Sequence, residues 1–102
     1  IIVCWGDSVT SCGESSTPAR CYVNLIESML KERFPSAKVQ VVNAGIGGTS
    51  TPGRFPAFDK EVLSFHPDLV TLEFVNDMGV PIPDMQALSP VEFIAKYQAG
   101  AR

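Results

Sequence analysis

The chain alternates between short apolar runs and longer segments in which apolar residues are spaced. A run of five apolar residues, Ile1–Trp5, stops at Gly6, which is typical of a buried strand ending in a sharp bend. The segments Lys38–Val42 and Leu69–Val75 are short and rich in β-branched residues, and they predict a second and a third strand. Because few polar residues interrupt the third segment, we expect it to be a central strand covered on both faces.

The segments between these strands carry apolar residues at helical spacing. Thr17-Pro18 offers an N-cap followed by a proline at the first helical position, and the helix is expected to end near Phe34-Pro35. A weaker stripe over residues 55–65 predicts a second helix, which Pro56 interrupts near its start. A capping box at Ser89–Glu92 predicts a third helix that reaches Tyr97.

The order strand, helix, strand, helix, strand, helix is typical of an α/β fold with a parallel sheet. Right-handed crossovers bring the C-terminal ends of parallel strands to the same edge of the sheet. We therefore expect the loops that begin at Gly6, Asn43 and Asn76 to meet at that edge. Open α/β sheets bind their ligands there.

Composition narrows the classes of partner. The chain has 102 residues, 45% of them hydrophobic, which suits one small domain with one core. Its net charge of −3 provides no basic patch, so we expect neither nucleic acid nor a membrane surface as a partner. No apolar run is long enough to span a membrane. The chain opens inside a strand-like run without Met, and we expect its start to be trimmed.

The three cysteines form no CxxC pair, which argues against a zinc site. Cys4 is expected to pack in the first strand as a small hydrophobic residue. A bridge between Cys12 and Cys21 stays open as an alternative in an oxidising compartment. No other cluster of ligands occurs, so neither a metal nor an organic cofactor is implied.

Each of the three loops offers a group suited to acyl transfer. Ser8, in GDSVTSCG, can present its hydroxyl in a cleft while its own N–H helps to bind an oxyanion. The glycines of NAGIGGTSTPG allow close approach to a ligand, but their spacing does not match a nucleotide-binding loop. Asn76 can donate to a developing negative charge, and Asp77 can orient the loop by accepting backbone hydrogen bonds. Each motif alone also fits an ordinary turn.

Together, the loops resemble the first three signature blocks of the SGNH, or GDSL-type, esterase and lipase family. The matching residues are Gly6-Asp7-Ser8 with Thr10, then Asn43 to Gly48, then Val75-Asn76-Asp77. The resemblance implies a three-layer α/β/α flavodoxin-like fold with a parallel sheet in the order 2-1-3-4-5. Only the first three strands are present here, so residues 1–102 are expected to form the N-terminal half of a single domain.

The resemblance also implies a small-molecule ester substrate, carrying a short acyl group or a carbohydrate, and an acyl-serine intermediate. Ser8 is then the nucleophile, and the N–H of Ser8, the N–H of Gly48 and the side-chain amide of Asn76 form the oxyanion hole. Phe74 stands where the family usually has glycine, and we expect it to narrow the acyl pocket or to shift the loop.

The base that would activate Ser8 is missing from the sequence. The single histidine, His66, precedes the third strand, so we expect it at the opposite end of the sheet from Ser8. Asp7 is a poor substitute because neighbouring side chains point to opposite sides of an extended backbone. The family's Asp and His stand in a DxxH motif, which does not occur here.

Without that base the chain alone is expected to be nearly inert. An apolar third strand with an open edge also predicts self-association along that edge if the chain is truly truncated. Two alternatives to the hydrolase hypothesis remain open: a non-catalytic anion-binding α/β module and a degenerate, inactive fragment.

Overall fold

The computed structural model describes residues 1–13 and 15–86, together with residues 95, 98 and 99. Three strands, Ile2–Gly6 (β1), Val41–Gly45 (β2) and Leu69–Glu73 (β3), form a parallel sheet in the order β2-β1-β3. This confirms the α/β fold with a parallel sheet and the expected order of its first three strands.

The register of the sheet makes the three strands end level with one another. Gly6, the last residue of β1, is paired with Gly45 on one side and with Glu73 on the other. Pairing with β1 also corrects the prediction for the second strand, which lies three positions further along the chain than Lys38–Val42. The loop expected from Asn43 therefore begins only after Gly45.

The first helix differs from its prediction at the start and agrees at the end. Pro18–Arg20 forms a separate 3-10 turn, Thr17 makes no side-chain cap, and Cys21 is extended, so helix α1 spans Tyr22–Arg33. It ends where Pro35 was expected to end it, because the residue before a proline is pushed out of the helical region. Within the described residues, no helix combines the length and the apolar character that crossing a membrane requires.

The predicted second helix is instead a series of short turns. It consists of α2 (Thr51–Arg54), a 3-10 turn (Phe55–Ala57), α3 (Phe58–Glu61) and a second 3-10 turn (Leu63–Phe65). Pro52 and Pro56 lack the backbone N–H that a continuous helix needs. Beyond β3 follow a 3-10 turn (Val75–Gly79) and α4 (Ile82–Gln86). The helix predicted at 89–97 lies outside the described residues.

Strand β1 is the centre of the core and is covered on both faces. On one face, Val3 and Trp5 pack with a buried group from the short turns, which comprises Phe58, Val62 and Leu63. On the other face, Cys4 packs with Cys21 and Val23 at the start of α1. Burial of both faces explains why the first apolar run is uninterrupted.

Strand β3 is an edge strand in the described part of the chain, which corrects the expectation that it is central. It pairs with β1 alone, and Leu69 and Leu72 are 51% and 54% exposed. These two leucines lie an odd number of positions apart, so they project from opposite faces of the sheet. Neither face of β3 is therefore fully covered.

Cys12 and Cys21 form a disulfide, so the alternative left open by the sequence is realised. It joins the loop after β1 to the start of α1. Cys4 carries a free thiol and is fully buried, as predicted for a small hydrophobic residue.

Candidate functional site

Ser8 lies two residues beyond the end of β1 and is half-buried. Its carbonyl accepts hydrogen bonds from the Ser11 hydroxyl at 3.0 Å and from the Gly13 N–H at 3.1 Å, which close a tight loop around it. Among the described residues, none forms a hydrogen bond with Ser8 Oγ. The hydroxyl is therefore left available for chemistry, and nothing in this part of the chain activates it.

The glycine loop lies against Ser8. A Cβ atom on Gly47 would stand 3.6 Å from Ser8 Cβ, whereas the Cβ position of Gly48 has no neighbour within 4 Å. Gly48 is exposed and has a φ of +74°, a conformation that favours glycine over other residues. The positive φ anticipated for this loop is thus present at Gly48.

Asn76 joins the third loop to the other two. Its backbone N–H donates to Asp7 Oδ2 at 3.2 Å, next to Ser8, and its side-chain amide donates to the Thr49 carbonyl at 3.0 Å, next to Gly48. Ser8, Gly48 and Asn76 therefore lie at the same end of the sheet, on loops that are hydrogen-bonded to one another.

Asp77 ties the third loop to helix α2 in the manner anticipated from the sequence. Its carboxylate accepts the Thr51 N–H at 2.7 Å and the Thr51 hydroxyl at 2.5 Å. Both acceptor oxygens are used, so this side chain positions the backbone beside Asn76.

Asp7 is fully buried and holds two loops rather than acting as a base. Its carboxylate accepts the N–H of Val9 at 3.1 Å as well as that of Asn76. Burial raises the pKa of this carboxyl, but the hydrogen bonds from Asn76 and Val9 outweigh that effect and hold the pKa below its ordinary value of 3.8. A carboxylate of low pKa that is already hydrogen-bonded is a weak proton acceptor.

A part-buried chain of side-chain hydrogen bonds lies beneath the Ser8 loop, and no motif in the sequence predicts it. The Thr10 hydroxyl donates to Glu73 Oε2 at 2.9 Å, so it accepts from the Tyr22 hydroxyl at 2.7 Å. Glu73 Oε1 in turn accepts the Val75 N–H at 3.1 Å. Burial raises the pKa of the Tyr22 hydroxyl. The sequence identifies Thr10 only as part of the first signature block and does not predict these hydrogen bonds.

Arg54 is the second feature that the sequence did not reveal. Its side chain is almost fully buried beneath the sheet end, and its guanidinium donates to the carbonyls of Gly6 at 2.8 Å and Ala44 at 2.7 Å. Glu61 neutralises it through an ion pair at 2.6 Å. Burial raises the pKa of Glu61, but hydrogen bonds from Arg54 and Trp5 outweigh burial and lower it below 4.5.

Phe74 packs with the core. Its ring meets the Trp5 ring edge-on at 4.8 Å between centroids, and the Arg54 guanidinium carbon lies 5.8 Å from its centroid. Phe74, which stands where the resemblance implies a glycine, thus extends the aromatic cluster behind the loops.

His66 lies at the far end of the sheet from Ser8, as the sequence predicts. It is exposed, follows the Leu63–Phe65 turn, and precedes Asp68, whose N–H bonds to the carbonyl of Ile1 at the start of β1. Within the described ranges, no set of three or more His, Cys, Asp and Glu residues is arranged to hold a metal ion.

The chain matches one protein family over nearly its whole length. The model of a family described as "GDSL-like Lipase/Acylhydrolase family" matches residues 4–101. No curated protein sequence matches the chain.

Solved structures of esterases share the fold. The chain is similar to a two-domain esterase (CEX) active on acetylated mannans, with 37% identity and a TM-score of 0.67 over 72% of this chain and 20% of that one. It is similar to AlinE4, an SGNH-hydrolase family esterase, with 26% identity and a TM-score of 0.58 over 98% of this chain and 49% of that one.

A third structure, TesA, shares the fold at 22% identity, with a TM-score of 0.62 over 98% of this chain and 55% of that one. The chain thus spans between a fifth and slightly more than half of the length of these proteins.

Proposed function

Because the chain belongs to the GDSL-like lipase/acylhydrolase family, we propose that it supplies the nucleophile and the oxyanion hole of a serine ester hydrolase. Ser8 Oγ attacks the ester carbonyl carbon while its proton passes to a base. The bond to the alcohol then breaks, the alcohol leaves with a proton, and water hydrolyses the acyl-serine. The negative oxygen of each tetrahedral intermediate is bound by the N–H of Ser8, the N–H of Gly48 and the amide of Asn76.

One observation supports this assignment most directly: Asn76 bonds at once to the neighbour of Ser8 and to the neighbour of Gly48. The side-chain amide has two N–H groups, and only one is needed for the Thr49 carbonyl. The other can donate to an oxyanion held between the loops. One such donor is typically worth about 3 to 4 kcal/mol of transition-state stabilisation.

The base is assigned to the remainder of a larger domain. In the described part of the chain, no histidine lies near Ser8, and both oxygens of Asp7 already accept backbone hydrogen bonds. We treat residues 1–102 as the N-terminal half of an SGNH domain, in which an Asp and a His from the other half complete the site. The 102-residue chain by itself should then show nearly no turnover, since losing the histidine of such a unit costs about a millionfold.

The substrate we propose is an ester of a short acyl group, including acetyl esters of carbohydrates. Activity on acetylated mannans, stated for the CEX esterase, supports this choice because that protein is 37% identical over the part it shares with this chain.

A fluorophosphonate probe tests the function on the whole product of the gene that encodes these residues. We expect the probe to label Ser8, and Ser8→Ala to abolish both labelling and turnover of p-nitrophenyl acetate. Ser16→Ala, which changes an exposed serine of the same loop, is the matched control and should behave as the unmodified protein. Labelling that persists in Ser8→Ala would remove Ser8 from its role.

The same protein distinguishes the alternatives. Asn76→Ala should lower turnover about 100- to 1000-fold with little effect on folding, because its side chain is exposed. An anion-binding module would instead bind acetate or phosphate in a titration without labelling or turnover, and a degenerate fragment would do neither.

A further inference from the structure

The guanidinium of Arg54 connects the core to the proposed oxyanion hole. We infer that Arg54 is a positioning residue, which fixes the Gly48 N–H and the Asn76 amide by holding Thr49 between them. This role rests on the proposed function, and no motif in the sequence assigns it.

The guanidinium is itself held from all sides. Its side chain is almost completely buried, and its carbon lies 5.6 Å from the centroid of Trp5. Nε and Nη2 both donate to Glu61 Oε2, at 2.8 and 2.6 Å. With its charge paired and an aromatic ring within cation–π distance, the group has little freedom to move.

From this fixed position, Arg54 reaches the end of the sheet and the glycine loop together. Nη1 donates to the carbonyl of Gly6 at 2.8 Å and to the Thr49 hydroxyl at 3.2 Å. That hydroxyl donates in turn to the Ile46 carbonyl at 2.6 Å, which closes the loop that contains Gly48. A single guanidinium therefore fixes the position of the glycine loop relative to the end of β1.

Thr49 also holds the third loop in position through a hydrogen bond. Its carbonyl accepts the side-chain amide of Asn76 at 3.0 Å. Gly48 has no packing neighbour around its Cβ position, so the direction of its N–H depends on the hydrogen bonds of the residues beside it. An oxyanion hole accelerates a reaction because its donors are already oriented before the charge develops.

A purely structural role for Arg54 would give a different experimental result. Thr49→Val removes the hydroxyl that links Arg54 to the carbonyl of Ile46, and so breaks both hydrogen bonds of this link, but it leaves Arg54, Glu61 and the carbonyl of Thr49 in place. Ser50→Ala is the matched control, because it removes the neighbouring hydroxyl, which makes no capping hydrogen bond to helix α2. Each variant is made in the whole gene product and assayed with p-nitrophenyl acetate.

We expect Thr49→Val to lower kcat about 10- to 100-fold, the effect of a small misplacement of catalytic groups, while KM and the urea midpoint stay close to those of the unmodified protein. Thr49→Ser, which restores the hydroxyl, should recover most of the lost rate. Ser50→Ala should leave both parameters unchanged.

Three outcomes would overturn the inference in distinguishable ways. If Ser8 is labelled and Ser8→Ala is inactive, but Thr49→Val keeps the kcat of the unmodified protein, then Arg54 does not position the hole and the proposed function stands. If Ser8 is not labelled in the unmodified protein, the proposed function fails and the inference fails with it. A loss of kcat that is accompanied by a clear fall in the urea midpoint would also count against positioning, because it would indicate that the variant is destabilised.

Discussion

Gly45, the last residue of β2, is closely packed against the Ser8 loop. A Cβ atom there would lie 2.3 Å from the backbone N of Ser11 and 2.7 Å from its Cα. Both are backbone atoms, so the loop cannot relieve the clash by turning a side chain. We predict that Gly45→Ala destabilises the protein by about 1–3 kcal/mol, the usual cost of overpacking.

Urea unfolding of the variant measures this effect, and Gly53→Ala is its control. Gly53 lies in α2, and its Cβ position has only Ser50 Oγ nearby, at 3.8 Å. Alanine is favoured over glycine inside a helix by about 1 kcal/mol, so this variant should be as stable as the parent or more so. Equal midpoints for the two variants would contradict the packing described for Gly45.

Single residues differ in how well the sequence predicts their place. Ser8 and Asn76 lie at the end of the sheet where the sequence places them, because each comes two or three residues after a strand whose apolar pattern is plain. The third strand ends at Glu73 rather than at Val75, so Asn76 lies in the 3-10 turn that follows it. Arg54 and Glu61 were missed, since a charged residue in a Pro- and Gly-rich turn has the same local pattern whether it is solvated or buried. The bonds that bury Arg54 reach residues up to 48 positions away, and no local pattern encodes such a pairing.

The limits of the strands and helices also differ in how well the sequence predicts them. The ends of β1 and α1 were predicted closely because Gly6 and Pro35 impose them locally. The limits of β2 were displaced because they are set by pairing with β1, from Ile2 opposite Val41 onwards, and propensity does not fix that register. Residues 55–65 were predicted as one helix that Pro56 interrupts near its start, whereas residues 51–65 form a series of short turns that Pro52 and Pro56 help to divide.

The disulfide stabilises the connection between the Ser8 loop and α1. Cys12 and Cys21 are nine positions apart, so the bond closes a short loop. By the chain-entropy estimate, a loop of this length contributes about 2–3 kcal/mol to the free energy of unfolding. We predict that a reductant lowers the urea midpoint of the protein by the corresponding amount.

The variant Cys12→Ser with Cys21→Ser provides the control for this prediction. It should unfold at the midpoint of the reduced parent and should not respond to reductant, while the buried thiol of Cys4 is present in both proteins. A midpoint that still falls with reductant in this double variant would show that the disulfide is not the source of the effect.

At the scale of the molecule, the described residues form a sheet that is well covered at its centre and open at β3. The helix α1 and the short turns cover β1 from both sides, whereas β3 leaves Leu69 and Leu72 about half exposed, and Met78 beyond it is 89% exposed. An apolar strand with unpaired backbone groups readily pairs with another strand. If residues 1–102 are the N-terminal half of a domain, as we propose, the strand order 2-1-3-4-5 that the family resemblance implies would place the next strand there.

We therefore predict that the 102-residue chain, prepared alone, self-associates through β3 at micromolar concentrations. Size-exclusion chromatography with light scattering measures the mass. Leu72→Lys puts a charge on the exposed edge strand and should shift the distribution towards monomer, whereas Leu25→Lys, on an exposed position of α1, is the matched control. A monomeric parent at all concentrations, or equal dissociation of both variants, would show that the β3 edge is not what drives the chains together. A whole gene product that stays monomeric while the 102-residue chain associates would indicate that the rest of the domain covers this edge.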